Sequence, residues 1–282
     1  MSARPIWSID VIRGEAPFAL SPPSRQPAIS AAMFPEVDAR FVADPFMLWT
    51  AGRWHLFMEV LSGATGRGEI GYATSADGAS WTAHGTVLRE PFHLSYPSVV
   101  QWDGQVWMIP ETLGARAIRL YRAERFPDRW AFAHDLLPLY GADPSVFHHG
   151  NRWWMFVCTT PHAHDTLALY SADDLRGPWS EHPLSPIVTG DRRIARPAGQ
   201  PRNIGGRLYR FAQDCAECYG RQVRAFEILE LTPESYRERE IEESPIFGAS
   251  GNGWNRDGMH HFDPHPLPGG GWIASVDGHA LS

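Results

Sequence analysis

The chain is short of cysteine, has no long apolar run and contains no basic stretch. Three Cys among 282 residues, an odd number, leave no closed disulfide framework, which fits a reducing compartment. No segment approaches the roughly 20 apolar residues that cross a bilayer as a helix. The opening "MSARPIWSIDVIRG" lacks the apolar core, about 7 to 15 residues long, of a secretory signal. The expectation is a cytoplasmic protein with no membrane partner. A formal net charge of -7 argues against nucleic acid, since duplex binding relies on clustered Lys and Arg to displace counterions. Nucleophilic triads and phosphate-cradling glycine loops are also missing: "GNGWNRDG" lacks the strand-to-helix setting of a dinucleotide fingerprint. Cys215 and Cys218 form "CAEC" without a second pair or nearby His ligands, so they read as ordinary thiols. "PHAHD" and "HHFDPH" offer imidazoles and carboxylates but no third fixed ligand in either run, so neither a metal nor a cofactor is expected.

What the chain does have is 12 Trp, 24 Pro and 26 Gly, a composition suited to many short strands broken by turns. "FVADPFMLWTAGRWHLFMEV", "LSYPSVVQWDGQVWMIPET", "YGADPSVFHHGNRWWMFVCT", "ARPAGQPRNIGGRLYRFAQD" and "HHFDPHPLPGGGWIASVDG" share one plan. Each has an opening proline, an apolar strand, a glycine turn and an aromatic strand. Pro45, Pro97, Pro144 and Pro197 recur about every 50 residues. More polar strand pairs follow, as in "GEIGYATSADGASWTAHGTVL", which completes four-stranded antiparallel meanders. The reading is all-β: a single five-bladed β-propeller domain over 1–282. The fifth unit runs out at two strands, so the N-terminal "PIWSIDVIRG" is expected to close the ring. "LTPESYRERE" reads as a short helix or a turn on the rim.

In such a ring the start of each inner strand and the end of its return strand meet at one face. Asp44 and Asp143 start blades one and three; Glu59, Glu111, Asp214 and Asp277 end return strands, so these carboxylates are expected to converge. Arg196 is expected in blade four at the slot of Asp44 and Asp143, with His93, His260 and His261 near the same mouth. Acids crowded with Arg and His are where pKa values separate, as acid/base chemistry requires. An Asp before Pro also caps turns by accepting backbone N–H groups, which is the plainer reading of any one of them. The tryptophans inside the hairpins read as wedge filling between blades, while Tyr96 or Tyr219 offers a ring for a sugar face.

"VADPF" and "GADPSVF" resemble the five-bladed glycoside hydrolases of the arabinanase, xylosidase and invertase superfamily. That resemblance implies Asp44 as general base and Asp143 as the residue tuning the acid, with a Glu as general acid opening blade four. Here "RIARPAG" puts Arg196 at that position, and an arginine holds its proton at neutral pH. Glu111 or Asp214 are the substitutes within reach. A longer resemblance, carried by "PFMLW", "SYPSVVQWDGQVWMIPET", "ARPAG", "RLYRFAQDC" and "WIASVDG", is to the propeller domain at the N-terminus of glucosamine inositolphosphorylceramide transferases and of bacterial formyltransferase-linked homologues. It implies a carbohydrate or glycoconjugate substrate and a sugar-modifying partner enzyme. Two functions follow: a glycoside-hydrolase-like enzyme using Asp44, Asp143, Glu111 and Asp214, or a noncatalytic glycan-recognition domain. Arg196, His93, Tyr96, Glu59, His260, His261 and Asp277 would hold the sugar in either.

Overall fold

A computed structural model describes residues 4–282. Antiparallel sheets form five blades, and the described residues hold no α-helix, only short 3-10 turns such as Ala31–Met33. Blade one runs through Ala39–Thr50, Arg53–Ser62, Gly68–Ser75 and Thr82–Leu88, from the centre outward. Blade two runs through Ser95–Trp102, Gln105–Glu111, Ile118–Arg125 and Arg129–Leu137. Blades three and four keep the plan with interruptions. The outer strand of blade three is split into Ser180–Glu181 and Val188–Thr189, and the inner strand of blade four into Arg196–Pro197 and Arg202–Ile204.

Turn chemistry explains the regularity. The first hairpin of blades one to four closes on two residues: Ala51–Gly52, Asp103–Gly104, Gly150–Asn151 and Gly205–Gly206, all with positive φ. That pair of left-handed residues matches the twist of the flanking strands, so the loop fixes the register of each blade. Trp154 adds a staple in blade three, donating from Nε1 to the carbonyl of His149 at 3.0 Å while its ring is buried. Truncating a ring of this kind to Ala costs about 3–5 kcal/mol.

The ring closes as the sequence implied. Strand Pro5–Ala16 lies beside Trp272–Leu281, in register from Pro5 opposite Leu281 to Gly14 opposite Trp272, and Ala19–Leu20 adds the outermost edge. The C-terminal blade is thus completed by the N-terminal segment. "LTPESYRERE" turns at Thr232–Ser235 and then enters strand Tyr236–Glu240, so the turn reading holds and the helix does not. There the Arg and Glu side chains pair across to the neighbouring strand, as Arg239 does with Glu227 at 2.8 Å.

Candidate functional site

The inner strands of blades one to three share a bulge. Asp44, Tyr96 and Asp143 have φ of 54, 47 and 51°, and the ladder skips at each. Asp tolerates this left-handed conformation better than most residues, because its short side chain bonds locally. The repeated Asp-Pro therefore has a backbone cause as well as a chemical one. Blade four differs: Arg196 stays in a regular ladder opposite Gln213, and the left-handed residue is Gly199, at φ 128°. Arg196 therefore does not take the backbone slot of Asp44, Tyr96 and Asp143.

Its side chain nevertheless reaches their cluster. Arg196 Nε donates to Asp143 Oδ2 at 2.7 Å, and Nη2 lies 3.4 Å from Glu111 Oε2. Nη1 donates to the Pro161 carbonyl at 2.9 Å and faces His164 Nδ1 at 3.0 Å. The guanidinium also lies over the Tyr219 ring, 5.1 Å from its centroid. Glu111 accepts the Asp143 backbone N–H at 3.1 Å, and Gln213 Nε2 donates to Asp143 Oδ2 at 2.9 Å. Arg196, Asp143 and Glu111 are all buried.

A second group adjoins it. Asp277 accepts the Asp44 backbone N–H at 2.9 Å and pairs with His260 Nδ1 at 2.8 Å. Asp44 Oδ1 lies 3.8 Å from His260 Nε2 and 4.0 Å from His261 Nδ1. His93 Nε2 meets Glu59 at 3.0 Å, with the Gly68 N–H donating to its Nδ1, which places the ring proton on Nε2. Asp44, His260 and Asp277 each place one ligand-type atom within 4.8 Å of the others, a donor set that suits a hard or borderline cation.

Electrostatics divides these groups. Burial, then the charges of Asp143, Glu59, Asp277 and Glu111, hold Asp44 well above the usual carboxylate range. Burial and Asp143 push Glu111 up to about 8, with Arg196 opposing. For Asp277, burial works against the charge, yet His260 and His261 outweigh it and keep the acid low. Burial takes His261 down to about 4, and neither of its ring nitrogens has a partner. His164 falls to about 4 through burial and the nearby Arg196 and Arg192 charges. Burial opposes protonation of His93, but Glu59 and Glu111 raise it on balance.

Two expected members do not join. Asp214 is held by Arg224 and Gln222, each at 2.8 Å from its Oδ2, and accepts the Ala216 N–H at 3.1 Å. Gln213, one residue earlier, faces Asp143 instead, because successive strand residues point to opposite sides. Tyr96 is fully buried and offers no ring face to a sugar. Its hydroxyl meets Ser145 Oγ at 2.7 Å and accepts the Gly199 N–H at 2.6 Å, while its ring packs edge-on against Phe46 and His261. These three rings plug the centre of the pore. Tyr219, 39% exposed, is an aromatic that remains open at this mouth. The sequence reading missed Gln213, and it weighed His164 only as a metal ligand in "PHAHD".

The family defined as the N-terminal region of glucosamine inositolphosphorylceramide transferase 1 matches residues 2–279. The chain belongs to this family. Among curated relatives, glucosamine inositolphosphorylceramide transferase 1 of Oryza sativa subsp. japonica is 34% identical over 96% of the chain, and that of Arabidopsis thaliana is 35% identical over 96%. The chain spans only 40% and 39% of the length of these two relatives. In fold, it is similar to the catalytic domain of the Coprinopsis cinerea family 62 α-L-arabinofuranosidase, with TM-score 0.63, 14% identity, and coverage of 99% of this chain and 98% of that one.

Proposed function

We propose that this family member is a glycan-recognition domain, which holds a carbohydrate or glycoconjugate at the carboxylate mouth and works with a sugar-modifying enzyme. One observation carries the reading: Arg196 lies across Asp143 and Glu111, where the resemblance to glycoside hydrolases expects a proton donor. A guanidinium keeps its proton at neutral pH, so it anchors rather than protonates. Tyr219, exposed at the mouth, supplies a stacking face for a sugar ring, and the half-exposed His93, paired with Glu59 in the carboxylate cluster, supplies a polar edge. The names of the relatives support a glycoconjugate ligand. Their greater length supports a partner activity carried outside the region matched here.

The hydrolase reading has one specific observation in its favour. Glu111, pushed up to about 8, keeps a proton at neutral pH beside Asp143, as a general acid must. A glycan panel read for both binding and release of reducing ends separates the two. Recognition expects binding with no release, and binding that persists in Asp44→Asn. Release by the native chain that disappears in Glu111→Gln would establish the hydrolase and reject recognition alone.

A further inference from the structure

A cavity of about 590 Å³ opens at the far end of the pore, beyond the plug of Phe46, Tyr96 and His261. Its volume falls within the range, about 300–1,000 Å³, of small-molecule sites. Each blade contributes one exposed residue to its rim, near the tip of the inner strand: Trp49, Gln101, His148, Asn203 and Pro266. Trp49 is 38% exposed, a large indole left open where Trp54, Trp107, Trp153 and Trp154 of the hairpins are buried.

The wall is aromatic: Trp54 and Trp153, both buried, line the cavity together with Phe147 and Trp272.

Charge narrows the choice of ligand. Arg202 Nη2 lies 2.5 Å from Asp263 Oδ1, and His265 lies 2.8 Å from the same carboxylate. Asp263 thus balances Arg202, and burial lowers the pKa of His265 and keeps its ring neutral near pH 7. Little positive charge is left over for a phosphate.

From the rim indole, the aromatic wall and this internal charge balance, we infer that the far mouth is a second ligand site, for a neutral saccharide. It lies apart from the carboxylate mouth and is independent of the function proposed there. An aromatic face with polar groups beside it is the chemistry that takes a pyranose ring, and the exposed amides of Gln101 and Asn203 supply partners for its hydroxyls.

The test titrates the whole chain with neutral xylo-, arabino-, manno- and gluco-oligosaccharides, with inorganic phosphate as the anionic comparison. Trp49→Ala and Asn203→Ala change exposed side chains, and circular dichroism checks that both fold. The expected result is binding to at least one neutral sugar that weakens at least tenfold in Trp49→Ala and persists in Glu111→Gln. Binding lost in Glu111→Gln but untouched in Trp49→Ala overturns the far site and leaves the carboxylate mouth standing. No binding to any neutral sugar, or a preference for phosphate, also overturns it.

Discussion

Arg196 and Asp143, 53 residues apart, are joined by an Nε–Oδ2 hydrogen bond of 2.7 Å inside the mouth of the pore. The pair links blades three and four, and Glu111 of blade two lies at 3.4 Å on the other side of the guanidinium. Removing one partner of a buried pair strands the other, at a cost of about 3–5 kcal/mol. Arg196→Gln is therefore expected to lose stability of that order in urea denaturation. The double variant Arg196→Gln, Asp143→Asn should lose clearly less than the sum of the two singles, since no charge is then left unpaired between them. Additive losses would mean that the pair contributes no coupling.

Glu111 gives the pH dependence a definite sign. Its native pKa stands at about 8, above the ordinary 4.5, so between those values the folded state holds a proton that the unfolded chain releases. The stability tied to this proton is complete below about pH 4.5 and is lost as pH rises through about 8. Glu111→Gln is uncharged at every pH and can still accept the Asp143 N–H. It is expected to match the native chain near pH 5 and exceed it near pH 8, by on the order of 2–4 kcal/mol. Thermal melts from pH 5 to 9 check this, and parallel curves for the two proteins would count against a raised Glu111.

The blades were legible because their period is written in turn residues. Asp103–Gly104 and Gly205–Gly206 need two left-handed positions, and such pairs recur with the aromatic strands around them. Ring closure was legible because "HHFDPHPLPGGGWIASVDG" supplies two strands to a unit that needs four. The convergence of Asp44, Glu111 and Asp143 followed from that topology. What failed was register at single-residue scale. Gln213 and Asp214 are neighbours pointing to opposite sides, and the local strand pairing, Arg196 with Gln213, sets which one faces the pore. Tyr96, offered with Tyr219 as a ring for a sugar face, lies instead in the bulge, which turns its ring into the plug. The far cavity was invisible because Trp49 and Trp153 look alike in sequence, and only packing leaves one ring exposed on the rim and the other buried in the wall.

Asp44 tests how far the bulge dictates the residue. Its φ of 54° suits Asp or Asn, and its Oδ2 accepts the Tyr96 N–H at 3.2 Å. Asp44→Asn keeps both features and is expected to stay within about 1 kcal/mol of native stability. Asp44→Ala places a methyl in a left-handed conformation and strands a buried N–H, for an expected loss of about 2–4 kcal/mol. Equal losses in the two variants, measured by denaturant midpoint, would show that the carboxylate charge matters more than the backbone.

The Tyr96 hydroxyl joins three blades. It sits on blade two, meets Ser145 of blade three at 2.7 Å and accepts the N–H of Gly199 in blade four at 2.6 Å. Gly199 is a fixed point: at φ 128° it favours glycine, and a Cβ there would fall 2.1 Å from the Phe262 carbonyl oxygen of blade five. Its amide is therefore held where the hydroxyl can reach it. Tyr96→Phe keeps the ring against Phe46 and His261 but leaves that buried amide without an acceptor, so a loss of about 1–3 kcal/mol is expected. The loss should appear as a lower urea midpoint with an unchanged slope, since the surface exposed on unfolding is the same. Hydrogen exchange at Gly199 should quicken in step. A midpoint shift without faster exchange at that amide would place the effect in ring packing rather than in the bond that ties blade four to blade two.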